Sequence, residues 1–109
     1  MPSAVETYLD LTRRVLPEAA RTTRRDWPIH NDHCFQRVVL DTITGGVWYD
    51  HIKKPAYRNM TDLQAKAAVA LSRDILSGKA DLRALNDQSK RWRRAAKAHA
   101  TDRQQALDL

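Results

Sequence analysis

Apolar residues recur at helical spacing along the chain, and the segment from residue 30 to residue 52 shows this most clearly. At about 100° per residue, its apolar positions fall on one broad face, and a line of polar and aromatic positions falls on another. Because residues flanking this line are also apolar, the pattern predicts a largely buried central helix over about residues 31–53. The apolar face comprises Cys34, Phe35, Val38, Val39, Thr42, Gly45, Tyr49 and Ile52, and the polar line comprises His30, His33, Arg37, Asp41, Thr44, Trp48 and His51.

The pair Gly45-Gly46 offers an alternative to this helix. It joins two runs, RVVLDTIT and VWYDHI, that are rich in β-branched and aromatic residues, which is a signal for a β-hairpin. The runs alternate poorly, however, and a hairpin without a third strand is marginally stable in water. We therefore favour the helix. Each glycine would cost it about 1 kcal/mol relative to alanine, which predicts that a neighbouring helix crosses closely at this pair.

Helix-start signals precede the central helix. Ser3 and Glu6 have the spacing of a capping box, and Pro17 either kinks the helix that follows or opens a second, short one. Trp27-Pro28 interrupts the chain, because the residue before a proline is disfavoured in the α conformation. The inward positions predicted for the first helix are Val5, Leu9, Thr12 and Leu16, with Tyr8 and Val15 beside them.

Two further helices are predicted in the second half of the chain. Thr61 and Gln64 form another capping box, and the helix after them should run to Ser77, with Gly78 as its stop. Asp81 should cap the last helix. The predicted inward positions are Leu63, Ala67, Leu71 and Ile75 in the first of these helices, and Leu82, Leu85, Ser89, Trp92, Ala96 and His99 in the last.

Composition bounds the architecture. A chain of 109 residues with 42% apolar and 29% charged residues is typical of one globular domain. We expect a single all-α domain over residues 1–109, a compact bundle of four or five helices, with residues 100–109 frayed. No apolar run is long enough to cross a membrane and the first residues lack a signal-peptide pattern, so no membrane association is expected. A single cysteine, Cys34, excludes an internal disulfide and fits a cytoplasmic location.

The net charge of +6 favours an anionic partner. On the last helix, a line of basic residues falls opposite the apolar seam: Arg83, Lys90, Arg94 and Lys97. The segment from residue 83 to residue 97 contains six cations and one anion. Such a line can neutralise phosphates without reading a base sequence, so nucleic acid or another polyanion is the leading partner, and homo-oligomerisation is the next. A merely solvated face is the alternative. A second cluster comprises Arg13, Arg14, Arg21, Arg24 and Arg25.

The polar line of the central helix contains the candidate catalytic residues. His33, Arg37 and Asp41 could form a small site with Trp48 as a wall, in which Asp41 orients an imidazole base and Arg37 holds an anion. The alternative, which we favour, is a structural network in which Arg37 and Asp41 form an ion pair one turn apart. The spacing of the histidines and Cys34 does not suit tetrahedral zinc, so no metal and no cofactor is expected.

Three segments carry a resemblance to a known family. The words HCFQRVVLD, WYDHIKKPAY and LNDQSKRWR resemble the patterns HCFxRxxLD, WxxxI followed by PAY, and LNxxSLxWRGK of a small family of bacterial and fungal proteins. The resemblance spans about residues 30 to 94. Some members are labelled GNAT-superfamily acetyltransferases, and that label implies acetyl-coenzyme A.

The chain departs from what this label requires. A GNAT fold needs a strand followed by a glycine-rich loop whose amides hold pyrophosphate, and the glycines here, Gly45, Gly46 and Gly78, form no such array. Lys90 and Arg94-Ala95 also replace the apolar residue and the Gly-Lys of the third pattern. The main hypothesis is therefore a small helical binding or assembly module, and an acyl-coenzyme A-dependent enzyme is the alternative.

Overall fold

The computed structural model describes the backbone of residues 2–107 and the side chains of residues 2–98. Within these residues the chain is helical without strands, so the predicted all-α class is confirmed. A π-helical turn over Leu11–Val15 joins the first two helices, and a 3-10 turn over Trp48–Asp50 follows the third. The helices are α1 (Ala4–Asp10), α2 (Leu16–Arg21), α3 (Asp32–Thr44), α4 (Ala56–Asn59), α5 (Asp62–Ser77) and α6 (Leu82–Leu107).

The first helical region runs continuously from α1 through the π-helical turn into α2. Ser3 caps it by accepting a hydrogen bond from the Glu6 amide at 3.1 Å. The amide of Leu16 bonds to the carbonyl of Leu11, five residues earlier, which widens the helix just before Pro17. Proline has no N–H to bond an upstream carbonyl, so the wider turn lets the helix pass Pro17 without a break.

The third helix is shorter than predicted. It ends at Thr44, because Gly45 adopts a left-handed conformation with φ +79° and the amides of Gly45 and Gly46 both bond to the Asp41 carbonyl. The prediction of one helix over residues 31–53 is therefore wrong beyond Thr44, and no hairpin forms in its place. No helix crosses closely at Gly45 either, since an added Cβ there would have no neighbour within 4 Å.

The remaining part of α3 is the centre of the core. It packs against the π-helical turn, α2, α5 and α6, so its position at the centre agrees with the apolar pattern. Trp27 packs edge-on against Phe35, with ring centroids 5.7 Å apart, and closes the core beside the start of α3. The buried apolar residues of α3 are Phe35, Val38, Val39 and Leu40.

Helix α5 has the predicted capping signals but a different buried face. Thr61 and Gln64 form a reciprocal capping box, and Gly78 ends the helix with φ +86°. The predicted inward residue Leu63 is 80% exposed, however, and Ala67 is also exposed. Ile75 is buried as predicted, but most of the other buried side chains are small, and α1 packs against this helix. The buried residues are Ala65, Ala68, Val69, Ser72 and Ile75.

The start of α6 agrees with the prediction, because the Ala84 amide donates to the Asp81 carboxylate at 3.2 Å. Its inward stripe contains Leu82, Asn86 and Ser89, which are buried. The predicted seam stops early, since Ala96 is exposed; the side chain of His99 lies outside the described residues.

The side chains of residues 100–109, which were predicted to fray, lie outside the described residues. The helical backbone of α6 is assigned as far as Leu107. No helix in the described part is long and apolar enough to cross a lipid bilayer.

Candidate functional site

A buried carboxylate joins α3 to α6. Asp41 is fully buried, and its Oδ2 accepts hydrogen bonds from the Ser89 hydroxyl at 2.6 Å and from Nε of Arg93 at 2.9 Å. Its Oδ1 accepts from Nη2 of Arg93 at 3.1 Å and from the backbone amide of Trp48 at 3.0 Å. A buried charge is costly unless it is paired and hydrogen-bonded, and here both carboxylate oxygens are satisfied. Asp41 therefore ties the turn after α3 to both helices.

Arg37 lies one turn before Asp41 on α3 but bonds to different atoms. Its Nη1 donates to the Ser89 hydroxyl at 2.8 Å, and its Nη2 donates to the Asn86 side-chain carbonyl at 2.7 Å. The predicted ion pair between Arg37 and Asp41 is therefore wrong, because both groups turn toward α6. Both partners of Arg37 are neutral, and no carboxylate in the described part of the chain forms an ion pair with it.

This arrangement leaves Arg37 oriented but not neutralised. A guanidinium carries five N–H donors, and the two bonds to α6 use only two of them. The side chain is half-buried and lines a surface cleft. Its position is thus held by neutral side chains, and its other N–H donors have no hydrogen-bond partner among the described residues.

The cleft has a volume of about 630 Å³, within the ordinary range for small-molecule sites. Its lining contains four cationic side chains and no carboxylate. Of the four, Arg93 is paired with Asp41 beneath the surface, and the other three form no ion pair among the described residues. The cleft therefore has a positive electrostatic potential. The four cations are Arg13, Arg37, Lys54 and Arg93.

Aromatic rings alternate with these cations. Tyr49 is 45% exposed, and it has Nζ of Lys54 4.5 Å and the guanidinium carbon of Arg93 5.3 Å from its ring centroid. The guanidinium carbon of Arg13 lies 5.7 Å from the ring centroid of Tyr57. These distances are typical of cation–π contacts, so each ring helps to position a charge at the cleft.

The ionisation of two lining residues is set by their surroundings. The hydrogen bond from Arg93 to Asp41 raises the pKa of Arg93, so this guanidinium stays charged. Burial raises the pKa of Tyr8, with the nearby charge of Arg13 acting in the opposite direction, so the phenol stays neutral. The cleft thus combines fixed positive charge with a neutral phenol.

The structure brings together some of the predicted site residues. His33, Arg37 and Trp48 all line the cleft, but Asp41 lies beneath it, committed to Ser89, Arg93 and the Trp48 amide. The side chain of His33 is 89% exposed, and its Nε2 lies 3.9 Å from the Asp32 carboxylate. Asp41 therefore orients α6 side chains and not an imidazole.

The basic residues predicted on the last helix lie elsewhere. Arg83, Lys90, Arg94 and Lys97 are exposed on α6, and none of them lines the cleft. Arg83 also donates a hydrogen bond to the Asp26 carbonyl at 3.2 Å. Arg93 was counted among the cations of the same segment, but its side chain turns inward and pairs with Asp41.

Sequence reasoning missed Asn86 and Arg93 as members of the site, and it assigned Ser89 only to an apolar seam. The spacing of these polar residues, three and then four positions apart within the inward stripe of α6, was the signal that could have identified them. The segments HCFQRVVLD, WYDHIKKPAY and LNDQSKRWR all contribute to this site. Residues 33–41 and 85–93 supply the network, and residues 48–57 supply the aromatic and basic wall.

No group of three potential metal ligands forms among the described residues. Comparisons of the chain with protein-family models, with curated proteins and with solved structures give no match.

Proposed function

We propose that this protein is a binding module that takes a small phosphate-bearing anion in the cleft beside Arg37. The observation that carries the proposal is the Arg37 guanidinium, which Asn86 and Ser89 orient without neutralising it. Arginine in such a fixed position presents paired N–H donors that match the oxygens of a phosphate or carboxylate.

The surrounding charges support an anion in preference to a neutral ligand. Arg13 and Lys54 add two charges at the cleft that no described carboxylate offsets. Like charges held near one another repel, and a bound anion relieves this repulsion. Beneath the cleft, the charges of Asp41 and Arg93 already offset each other. This pair therefore supports the cleft, and the other cations bind the anion.

The contacts of Asp41 also favour a binding role over the enzyme alternative. The enzyme hypothesis requires Asp41 to hold the His33 imidazole as a base, and both oxygens of Asp41 bond elsewhere. Trp48 lines the same cleft as Arg37.

The test is a calorimetric titration of the protein with pyrophosphate at low ionic strength. We expect binding to the wild type, a rise in melting temperature by mass action, and weakening as salt is added. Arg37→Gln and Arg13→Gln should each lower the affinity about tenfold or more, in the range expected for removal of a charge-assisted hydrogen bond. Arg13 is exposed and its replacement leaves the α3–α6 network intact, so its loss of affinity cannot be ascribed to misfolding.

Arg21→Gln is the matched control. Arg21 is exposed on α2 and does not line the cleft, so its replacement makes the same change in net charge at another place. Pyrophosphate should bind this variant as it binds the wild type. The proposal is overturned if the wild type does not bind pyrophosphate, or if Arg21→Gln weakens binding as much as Arg13→Gln does.

A further inference from the structure

The described part of the chain has three large apolar or aromatic side chains that are substantially exposed: Tyr49, Tyr57 and Leu63. Two of them, the tyrosines, line the same cleft. A third aromatic residue, Trp48, lines it as well and meets Tyr49 edge-on, with ring centroids 5.6 Å apart. Exposed aromatic rings gathered at a concave surface are typical of a ligand site.

The rest of the lining is more apolar than an inorganic anion requires. Leu9, Leu40 and Ala56 add aliphatic side chains to the lining. A bare phosphate would meet Arg37 and leave this surface and the rings in water. A ligand that also carries a flat, weakly polar body would cover them, and burial of that apolar area would add to the affinity.

The spacing of charge and ring constrains the ligand further. Lys54 lies 4.5 Å from the centroid of Tyr49, and Arg13 lies 5.7 Å from that of Tyr57. A ligand that uses both features must therefore carry its negative charge close to its planar group. Alternating cations and aromatic rings are the usual means by which proteins hold an unstacked base together with its phosphate.

We infer that the cleft binds a nucleotide, with the phosphate at Arg37 and the base against Trp48 and Tyr49. This inference rests on the proposed anion-binding function and names the chemistry of its ligand. The nucleotide has two sources, a free mononucleotide or one unit of a single strand. A duplex does not fit the inference, because a paired and stacked base cannot reach aromatic side chains inside a cleft.

The experiment compares four probes by calorimetry: AMP, ribose phosphate, adenosine and a short single-stranded oligoadenylate. We expect AMP to bind about tenfold or more tightly than ribose phosphate, since stacking of a base on an aromatic ring contributes about 1 to 3 kcal/mol. Adenosine should bind more weakly than AMP. Tyr49→Leu should reduce the ratio of AMP affinity to ribose phosphate affinity, because it removes one of the two rings placed against the base while all four cations of the lining remain.

Leu63→Ala is the control, because Leu63 is exposed and lies outside the cleft. It should leave every affinity unchanged. Equal affinity for AMP and ribose phosphate would overturn the nucleotide inference and leave anion binding in place, whereas binding of none of the phosphate probes would overturn both. An AMP advantage that is as large in Tyr49→Leu as in the wild type would also overturn the inference. With the inference upheld, tighter binding of the oligoadenylate than of AMP identifies a strand as the source, and the reverse identifies the free nucleotide.

Discussion

Asp41 shows how one side chain can determine the shape of a site that it does not enter. Its carboxylate holds Ser89 and Arg93 of α6 and the Trp48 amide at the same time. Ser89 in turn accepts a hydrogen bond from Arg37, so the orientation of Arg37 depends on a buried anion that it does not touch. Such linked hydrogen bonds are strongly stabilising only when every member is satisfied.

Asp41→Asn tests this dependence. The amide keeps the shape of the side chain but removes the charge that pairs with Arg93 and introduces N–H groups facing other donors. We expect the free energy of unfolding to fall by about 2 to 3 kcal/mol, measured by urea denaturation at neutral pH. This decrease is at or below the smallest decrease expected when a fully buried ion pair is broken, because the side chain of Arg93 is 30% exposed.

Asp10→Asn is a suitable comparison for Asp41→Asn. Asp10 also accepts two hydrogen bonds from an arginine, Arg14, but both side chains are exposed. Water screens such pairs, so the urea midpoint should hardly change. Equal effects of the two substitutions would show that the Asp41 network does not hold α3 and α6 together.

The end of α3 depends on the backbone of a single glycine. Gly45 has φ +79°, a conformation that costs a residue with a Cβ about 1 to 2 kcal/mol, and Gly46 has no such requirement. By stopping the helix there, Gly45 directs the chain back so that Trp48 and Tyr49 reach the cleft. A helix continued to residue 53 would carry them away from Arg37.

Alanine substitution separates the two glycines. Gly45→Ala should lower the free energy of unfolding by about 1 kcal/mol or more, although the added methyl would meet nothing within 4 Å. Gly46→Ala places its methyl in ordinary contact with His51, at 3.6 Å, and should be neutral or slightly stabilising. Stabilisation by both substitutions in urea denaturation would instead indicate a continuous helix.

Helix α6 presents different charges on its two sides. Its inward side contributes Asn86, Ser89 and Arg93 to the site, whereas its exposed side carries the cations predicted to contact polyanions. Those cations, residues 83, 90, 94 and 97, span about 21 Å along the helix axis. Nucleic-acid binding by this side stays a prediction, and it requires a polymeric ligand, since a mononucleotide in the cleft could not reach them.

Replacing Arg83, Lys90, Arg94 and Lys97 together with Glu tests the exposed side. Affinity for single-stranded nucleic acid and its dependence on salt should both fall, the slope by about 0.7 for each phosphate that the helix no longer neutralises, while AMP affinity stays as in the wild type. Titrations at several salt concentrations measure both. The variant with Arg21, Arg25, Arg73 and Lys79 replaced by Glu carries the same charge change at other exposed positions. Equal effects in the two variants would indicate a non-specific charge effect.

Burial along α6 decreases toward the end of its described side chains. Among these side chains Ser89 is the last that is fully buried, Trp92 and Arg93 are half-buried, and residues 94–98 are exposed. Residues 94–98 therefore contribute little to the core. Self-association through an exposed helix face stays a prediction. Sedimentation velocity tests it by measuring the oligomeric state of the protein.

Truncation tests where the required part of α6 ends. A chain that stops at Ala98 should unfold at the same urea concentration as the full chain, because residues 94–98 already contribute little buried area. A chain that stops at Gln88 loses Ser89, Trp92 and Arg93 and leaves Asp41 without its α6 partners, so it should not fold cooperatively. Circular dichroism in urea reports both outcomes. A lower midpoint for the chain ending at Ala98 would assign a stabilising contact to residues 99–109.

Much of the architecture was predictable from the sequence because its causes are local. The N-caps at Ser3, Thr61 and Asp81 and the stop at Gly78 depend on groups within four residues of one another. The apolar pattern likewise placed α3 at the centre. The same rules were ambiguous at Gly45-Gly46, where a glycine can lie within a helix, end one or turn a hairpin.

The sequence by itself thus determined an all-α fold, the starts of α1, α3, α5 and α6, the buried position of α3 and the excess of positive charge. Only the tertiary structure decided that α3 ends at Thr44, that α5 buries its small side chains, and that Arg37 bonds to α6. The last two of these depend on which helix packs against which, and helical periodicity records the direction of a side chain on its own helix but not its partner. Asp41 illustrates the difference, because its spacing from Arg37 suggested an ion pair within one helix, whereas its partners lie about fifty residues away in the chain.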